Sequence, residues 1–84
     1  MNYSVLLLPR VQRALATLAR DNYERLKAAI VSLGENPHPS GCRKLAGRNG
    51  WRIRVGQYRV IYEIDDAARA VTVLDVGHRR EVYR

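Results

Sequence analysis

The run from Trp51 to Ile64, WRIRVGQYRVIYEI, constrains this chain more than any other stretch. Trp51, Ile53 and Val55 alternate with Arg52 and Arg54, and Tyr58, Val60, Tyr62 and Ile64 alternate with Arg59, Ile61 and Glu63. In a strand, successive side chains point to opposite faces. The pattern therefore predicts two strands, each with one apolar face, and a basic set on the other. Gly56-Gln57 between them puts glycine first in a short connection, which suits a β-hairpin. A hairpin with one greasy face needs another layer to cover it.

The N-terminal half supplies that layer. Tyr3 to Leu8 reads as a first strand, and Pro9 ends it while suiting the first position of a helix. Val11, Leu15 and Leu18 recur at helical spacing, with Ala14 nearby, so a first amphipathic helix is expected around residues 9–19. Asp21 followed by Glu24 resembles an N-cap with an acidic third position. Leu26, Ala29, Ile30 and Leu33 form a second stripe, which Gly34 suits as an end and Pro37 and Pro39 stop. Two helices with almost no linker predict an antiparallel helix hairpin.

Asn36 to Gly50 reads as a long connection holding a short extended piece at Arg43-Lys44-Leu45, with a turn at Asn49-Gly50. Asp65-Asp66 opens another turn, and Ala70 to Val76 reads as a third strand, central because it carries few charges. The expected order is β-α-α-β-β-β, with room for one extra short strand. This is an α+β two-layer sandwich, with the helices on one face of a mainly antiparallel sheet. At 84 residues the chain is one domain, 1–84.

Charge is where the composition departs from an ordinary soluble domain. The net is +7, and residues 43–84 hold ten of the fifteen basic residues. Between Arg43 and Arg59 there are six basic residues and no acidic one. Such a surface attracts polyanions. A solvated basic face and a phosphate-binding face both fit the alternation alone. With Cys42 as the sole cysteine, an intramolecular disulfide is excluded and a reducing compartment fits. Val5 to Leu8 is too short for the apolar region of a secretory signal, and Pro9-Arg10 follows directly. A cytoplasmic protein without a membrane span is expected.

Familiar catalytic signatures are missing. Two histidines and one cysteine do not make a zinc site, so no metal and no cofactor is expected. There is no P-loop, dinucleotide-binding glycine pattern or nucleophile elbow. Neither expected helix has a continuous basic face, which argues against major-groove reading of DNA. The candidates that remain are Lys44, Arg52, Arg54, Arg59, His78, Arg79, Arg80, Tyr83 and Arg84. Clustered arginine suits phosphate because its planar donors bind two oxygens at once.

Several blocks together resemble the RelE/ParE superfamily of bacterial type II toxins, and within it the RelE-like mRNA interferases. They are Asn36-Pro37, Lys44-Leu45 with Gly47, Trp51 to Gly56, Tyr58 to Glu63, and Val76-Gly77-His78-Arg79-Arg80 with Val82-Tyr83. The resemblance implies a sheet in which the first strand lies beside the last. It implies cleavage of mRNA in the ribosomal A site by attack of a ribose 2′-hydroxyl on the adjacent phosphate, without metal. It also implies a partner antitoxin, expected to present an acidic, flexible segment. The family's catalytic positions fall on Arg52, Arg54, Arg59, Arg79 and Tyr83, with Lys44 at a frequent basic position upstream.

Two departures bear on the chemistry. The best-studied members have lysine at the positions of Arg52 and Arg54, and an arginine does not give up a proton. Some members continue into a helix after the tyrosine, and this sequence ends at Arg84. The expected division is therefore Arg54, Arg59 and Arg79 on the scissile phosphate, with Arg52, Lys44, Arg80 and Arg84 along the RNA backbone. Tyr83 carries the proton, and His78 is a second candidate. The alternatives within the same fold are a ParE-like inhibitor of DNA gyrase and a non-catalytic RNA- or ribosome-binding protein.

Overall fold

In the computed structural model of the chain, residues 2–78 are described. The elements are β1 (Ser4–Leu7), α1 (Pro9–Ala16), α2 (Arg20–Leu33), β2 (Arg43–Lys44), β3 (Trp51–Val55), β4 (Tyr58–Asp65) and β5 (Ala70–His78). The strands form one sheet in the order β1-β5-β4-β3-β2. β1 runs parallel to β5, and every other neighbouring pair is antiparallel. This is the expected α+β sandwich, and the extra short strand is β2.

The alternating run folds as a hairpin with Trp51 opposite Tyr62, Ile53 opposite Val60 and Val55 opposite Tyr58. Its loop is Gly56-Gln57, and Gly56 has φ +61, a backbone conformation that glycine adopts without strain. One face of the sheet meets the helices. The core joins Val11, Leu15, Leu26, Ile30 and Leu33 of the helices to Ile53, Val60, Tyr62, Val71, Val73 and Val76 of the strands. Burial of these side chains is the main favourable contribution to a fold this small.

The helix hairpin differs from the expectation at its joint. α1 ends at Ala16, three residues short of the expected 9–19 span. The Thr17 hydroxyl donates to the Ala14 carbonyl at 2.8 Å, one of the local bonds by which threonine competes with helix continuation. Asp21 is not the N-cap of α2. Ala19 holds that position, without a side-chain cap, and Asp21 sits in the first turn. There its carboxylate still meets the positive end of the helix. The connection between the helices is so short that α2 must begin at Arg20. At the other end Gly34 is the C-cap as expected, and its carbonyl accepts from the backbone N–H groups of Asn2 and Tyr3, tying β1 to α2.

β5 is longer than the expected 70–76, reaching His78, and it carries a bulge. Tyr62 pairs with Val73 but Ile61 pairs with Asp75, so Leu74 is an extra residue in the ladder. Arg10 of α1 donates to the Leu74 carbonyl at 2.8 Å. The bulge shifts the alternation by one: Val71 and Val73 face the core before it, and Val76 after it. No helix among the described residues is long and apolar enough to cross a membrane.

The β2–β3 corner depends on Gly50. Its φ is +125, and a Cβ there would lie 3.1 Å from Leu45 Cδ1 and 3.2 Å from the Tyr62 carbonyl oxygen. The backbone neighbour cannot move aside as a flexible side chain could. Gly50→Ala is expected to destabilise the protein by about 1–3 kcal/mol, read as a lower urea midpoint with an unchanged m-value.

Candidate functional site

The register places the arginines. On the sheet face away from the helices, Arg54 of β3 stands opposite Arg59 of β4, which in turn pairs with Gly77 of β5. One row along, Arg43 of β2 is opposite Arg52 of β3, which pairs with Ile61 and then, across β5, with Asp75. Directly opposed residues in an antiparallel pair have Cα atoms about 4.5–5.5 Å apart. Arg54 and Arg59 are thus brought together, with Arg52 about 7 Å from Arg54 along the strand.

Exposure divides these side chains. Arg54 is exposed, Arg52 is half-buried and Arg59 is only 7% exposed. Of the two readings that the alternation left open, a fully solvated basic face does not hold at Arg59. It sits on a central strand, and its neighbour Ile61 on the same face is also buried, at 3%. A charge held in low dielectric acts more strongly on an anion beside it than an exposed one does. Gly77, opposite Arg59, adds no side chain to this part of the face.

Two expected members lie elsewhere. Lys44 pairs with Trp51 and its Nζ is 5.5 Å from the indole centroid, on the side of the strand opposite Arg52. Its immediate neighbour Arg43 occupies the arginine face instead, and together with Arg52, Arg54, Ser40 and Gly41 it borders a surface cavity of about 350 Å³. The two neighbours therefore stand on opposite faces of the sheet. The missed signal is the antiparallel register through the 45–50 turn, closed by the Leu45 N–H donating to the Gly50 carbonyl at 3.0 Å. That register pairs 43 with 52 and 44 with 51.

His78 is also displaced. It pairs with Tyr58, their rings meet edge-on at 5.9 Å, and both line a cavity with Ala14, Thr17 and Leu18 of the α1 end. The bulge at Leu74 turns it to the helix side, away from Arg54 and Arg59. Arg79, Arg80, Tyr83 and Arg84 lie outside the described residues.

Neither of the tyrosines with a perturbed phenol brings it to the arginine face. Tyr62 is fully buried, and its hydroxyl donates to the Pro37 carbonyl at 2.8 Å. Burial, together with the Cys42 thiol beside it, pushes the phenol far above its usual range. The hydrogen bond from Tyr3 to Asp66 likewise raises the Tyr3 phenol, at the far end of the sheet. The arginine face can hold and stabilise an anion, and its guanidiniums stay protonated.

A family model described as the ParE toxin of the type II toxin-antitoxin system, parDE, matches residues 5–83. The chain belongs to this toxin family. Toxin RelG of Mycobacterium tuberculosis is 35% identical over 88 residues, covering 92% of this chain and 99% of the relative. The crystal structure of the archaeal RelE-RelB complex from Pyrococcus horikoshii contains a chain similar at TM-score 0.86 and 29% identity, covering 96% of this chain and 99% of that one. A mutant of E. coli RelE in complex with an antitoxin RelB peptide is similar at TM-score 0.74 and 27% identity, covering 99% and 92%. These full-length likenesses put the toxin in the RelE-like branch of the RelE/ParE superfamily, as the toxin component of a toxin-antitoxin system.

Opposed like charges weaken a strand pair by a few tenths of a kcal/mol to about 1 kcal/mol. Arg54→Gln is therefore expected to raise the toxin's stability by a few tenths of a kcal/mol in low salt, with the gain shrinking as salt screens the pair. Denaturation at two ionic strengths checks it. Tyr62 gives a second expectation. Its folded pKa lies above the unfolded value near 10, so above pH 10 the unfolded state binds fewer protons than the native one. Its contribution to stability is complete below pH 10 and is lost as pH rises towards the folded pKa, at up to about 1.4 kcal/mol per pH unit. Tyr62→Phe should start from lower stability but show a shallower alkaline decline in pH-dependent melts.

Proposed function

We propose that the toxin is an endoribonuclease that cuts mRNA on the ribosome. The observation that carries this reading is the opposed pair of Arg54 and Arg59 on one sheet face, in a chain of the RelE-like branch. The ribose 2′-oxygen loses its proton and bonds to the adjacent phosphorus. The bond from phosphorus to the 5′-oxygen breaks, and that oxygen takes up a proton. The products are a 2′,3′-cyclic phosphate and a 5′-hydroxyl. Negative charge builds on the non-bridging oxygens during attack, and Arg54, Arg59 and Arg79 stabilise it. Buried Arg59 contributes fixed charge that needs no reorganisation, and exposed Arg54 closes on the phosphate from the solvent side.

Proton transfer falls to Tyr83. His78, turned towards α1, is the weaker candidate of the two. Arg52, Arg80 and Arg84 hold the RNA backbone. No metal or cofactor takes part. Alignment of the 2′-hydroxyl with phosphorus and the leaving oxygen is set largely by the ribosome, which offsets the small catalytic inventory of the chain. The same basic face is the target of a cognate antitoxin with an acidic, flexible segment, a reading supported by the RelE-RelB complexes among the similar structures. The protein acts in the cytoplasm, where translated mRNA is found.

Primer extension on an mRNA in a reconstituted translation system tests the proposal. Cuts within codons are expected with ribosomes present and not with ribosomes omitted. Tyr83→Phe should slow cutting by about 100-fold or more, the usual scale for a lost general acid or base. A wild-type rate in that variant overturns the role of Tyr83. Intact mRNA together with gyrase-linked DNA breaks overturns the ribonuclease and favours the ParE-like alternative.

A further inference from the structure

Arg43 has no place in the cleavage set above, yet it is the residue that extends the basic face to the sheet edge. We infer that Arg43, Arg52 and Arg54 form a second phosphate subsite, which holds the RNA backbone next to the scissile phosphate. The inference rests on the endoribonuclease reading and adds a substrate contact to the same site.

Three observations carry it. Arg43 is directly opposite Arg52, and both line one cavity of about 350 Å³ with Arg54, Ser40, Gly41 and Ile53, so the lining contains no carboxylate. The floor beside them is open: Gly41 has φ +89, and a Cβ built there would meet nothing within 4 Å. Along β3, Arg52 and Arg54 are separated by two residues, about 7 Å. That is close to the spacing of successive phosphates in an extended RNA strand. A phosphate between Arg43 and Arg52 would thus follow one held by Arg54 and Arg59. Opposing guanidiniums match a tetrahedral oxyanion, whose charge is shared over several oxygens, better than they match single carboxylates along a peptide.

The neighbouring lysine makes the inference sharp. Lys44 has the same charge one residue away, but it projects to the Trp51 side. A merely non-specific attraction to the whole basic surface would treat the two alike.

The test uses the full chain and a fluorescent RNA oligonucleotide with 2′-O-methyl riboses, which binds but cannot be cut. Affinity is measured by anisotropy over a range of salt. Arg43→Gln is expected to reduce the slope of log affinity against log salt by about 0.7, the loss of one single-strand phosphate contact. Arg43→Lys should restore most of that slope. Lys44→Gln should lose less than half as much, and Lys27→Gln, on the exposed side of α2, should leave the slope unchanged. In ribosome-dependent cutting, Arg43→Gln should raise the half-saturating toxin concentration about tenfold with the maximal rate nearly unchanged, as for loss of uniform binding. A slope change at Arg43 no larger than at Lys44 or Lys27 overturns the subsite. So does weaker binding of an acidic peptide, such as oligoglutamate, with RNA binding intact. If wild-type toxin leaves translated mRNA uncut, the ribonuclease reading fails, while the oligonucleotide slopes still decide whether Arg43 contacts RNA phosphate.

Discussion

The register of β3 against β4 is the constraint on which the rest depends. A slip of one residue would either turn Arg52 and Arg54 towards the helices and expel Ile53, or turn Arg59 in and expel Val60 and Tyr62. Burying guanidiniums in that core would cost far more than the margin by which small domains are stable. Local chemistry also holds the register. Gly56 makes the tight loop, and the Tyr62 hydroxyl anchors the middle of β4 to Pro37 in the connection after α2. Trp51 stands between His38, whose ring meets it edge-on at 4.7 Å, and the Lys44 ammonium. The arginine face is thus placed by contacts made on the opposite face.

Much of this was legible because alternation is a strong local signal. The hairpin, the helix stripes and the arginine face follow from spacing in the chain itself. The parallel pairing of β1 with β5 does not, since it joins residues such as Ser4 and Ala70 that no local pattern relates. It came from the family resemblance. Parity was the main source of error. In Val73-Leu74-Asp75-Val76 the core spacing changes from two to three because Leu74 is bulged, and this one residue sends His78 to the other side of the sheet. The faces of Arg43 and Lys44 were not legible for the same reason: they depend on pairing across a turn. Exposure was harder still. Alternation assigns Arg59 a face, but only its central strand and its neighbours determine that it is buried.

The arginine face is also where the chain departs from what stability alone would select. Two arginine pairs oppose one another across strands, and one member is buried on a central strand. Cross-strand neighbours of opposite charge would serve folding better. The cost is met by the other layer, where Val11, Leu26, Val60, Tyr62, Val71 and Val73 are fully buried. A local violation carried by a consistent remainder is the expected mark of a functional surface. The +7 net charge of the chain fits the same view, because it adds repulsion that an anionic partner or substrate relieves.

Charge stabilisation and proton transfer are separated in this architecture. The three arginines of the hairpin are fixed by sheet register and cannot exchange protons at neutral pH. The hairpin's tyrosines, Tyr58 and Tyr62, are on the core side, and burial pushes the Tyr62 phenol upward. His78 is turned to α1 by a bulge. A site built this way can grip a phosphate without being able to cut beside it. Its chemistry then depends on the residues that follow His78, and its specificity depends on whatever aligns the 2′-hydroxyl. Under the proposed reaction, binding and turnover should therefore respond to different parts of the chain: grip to β2, β3 and β4, and turnover to the segment carrying Tyr83. The proposed reaction would leave an antitoxin two independent ways to silence it, by neutralising the sheet face or by withholding the proton carrier from that face.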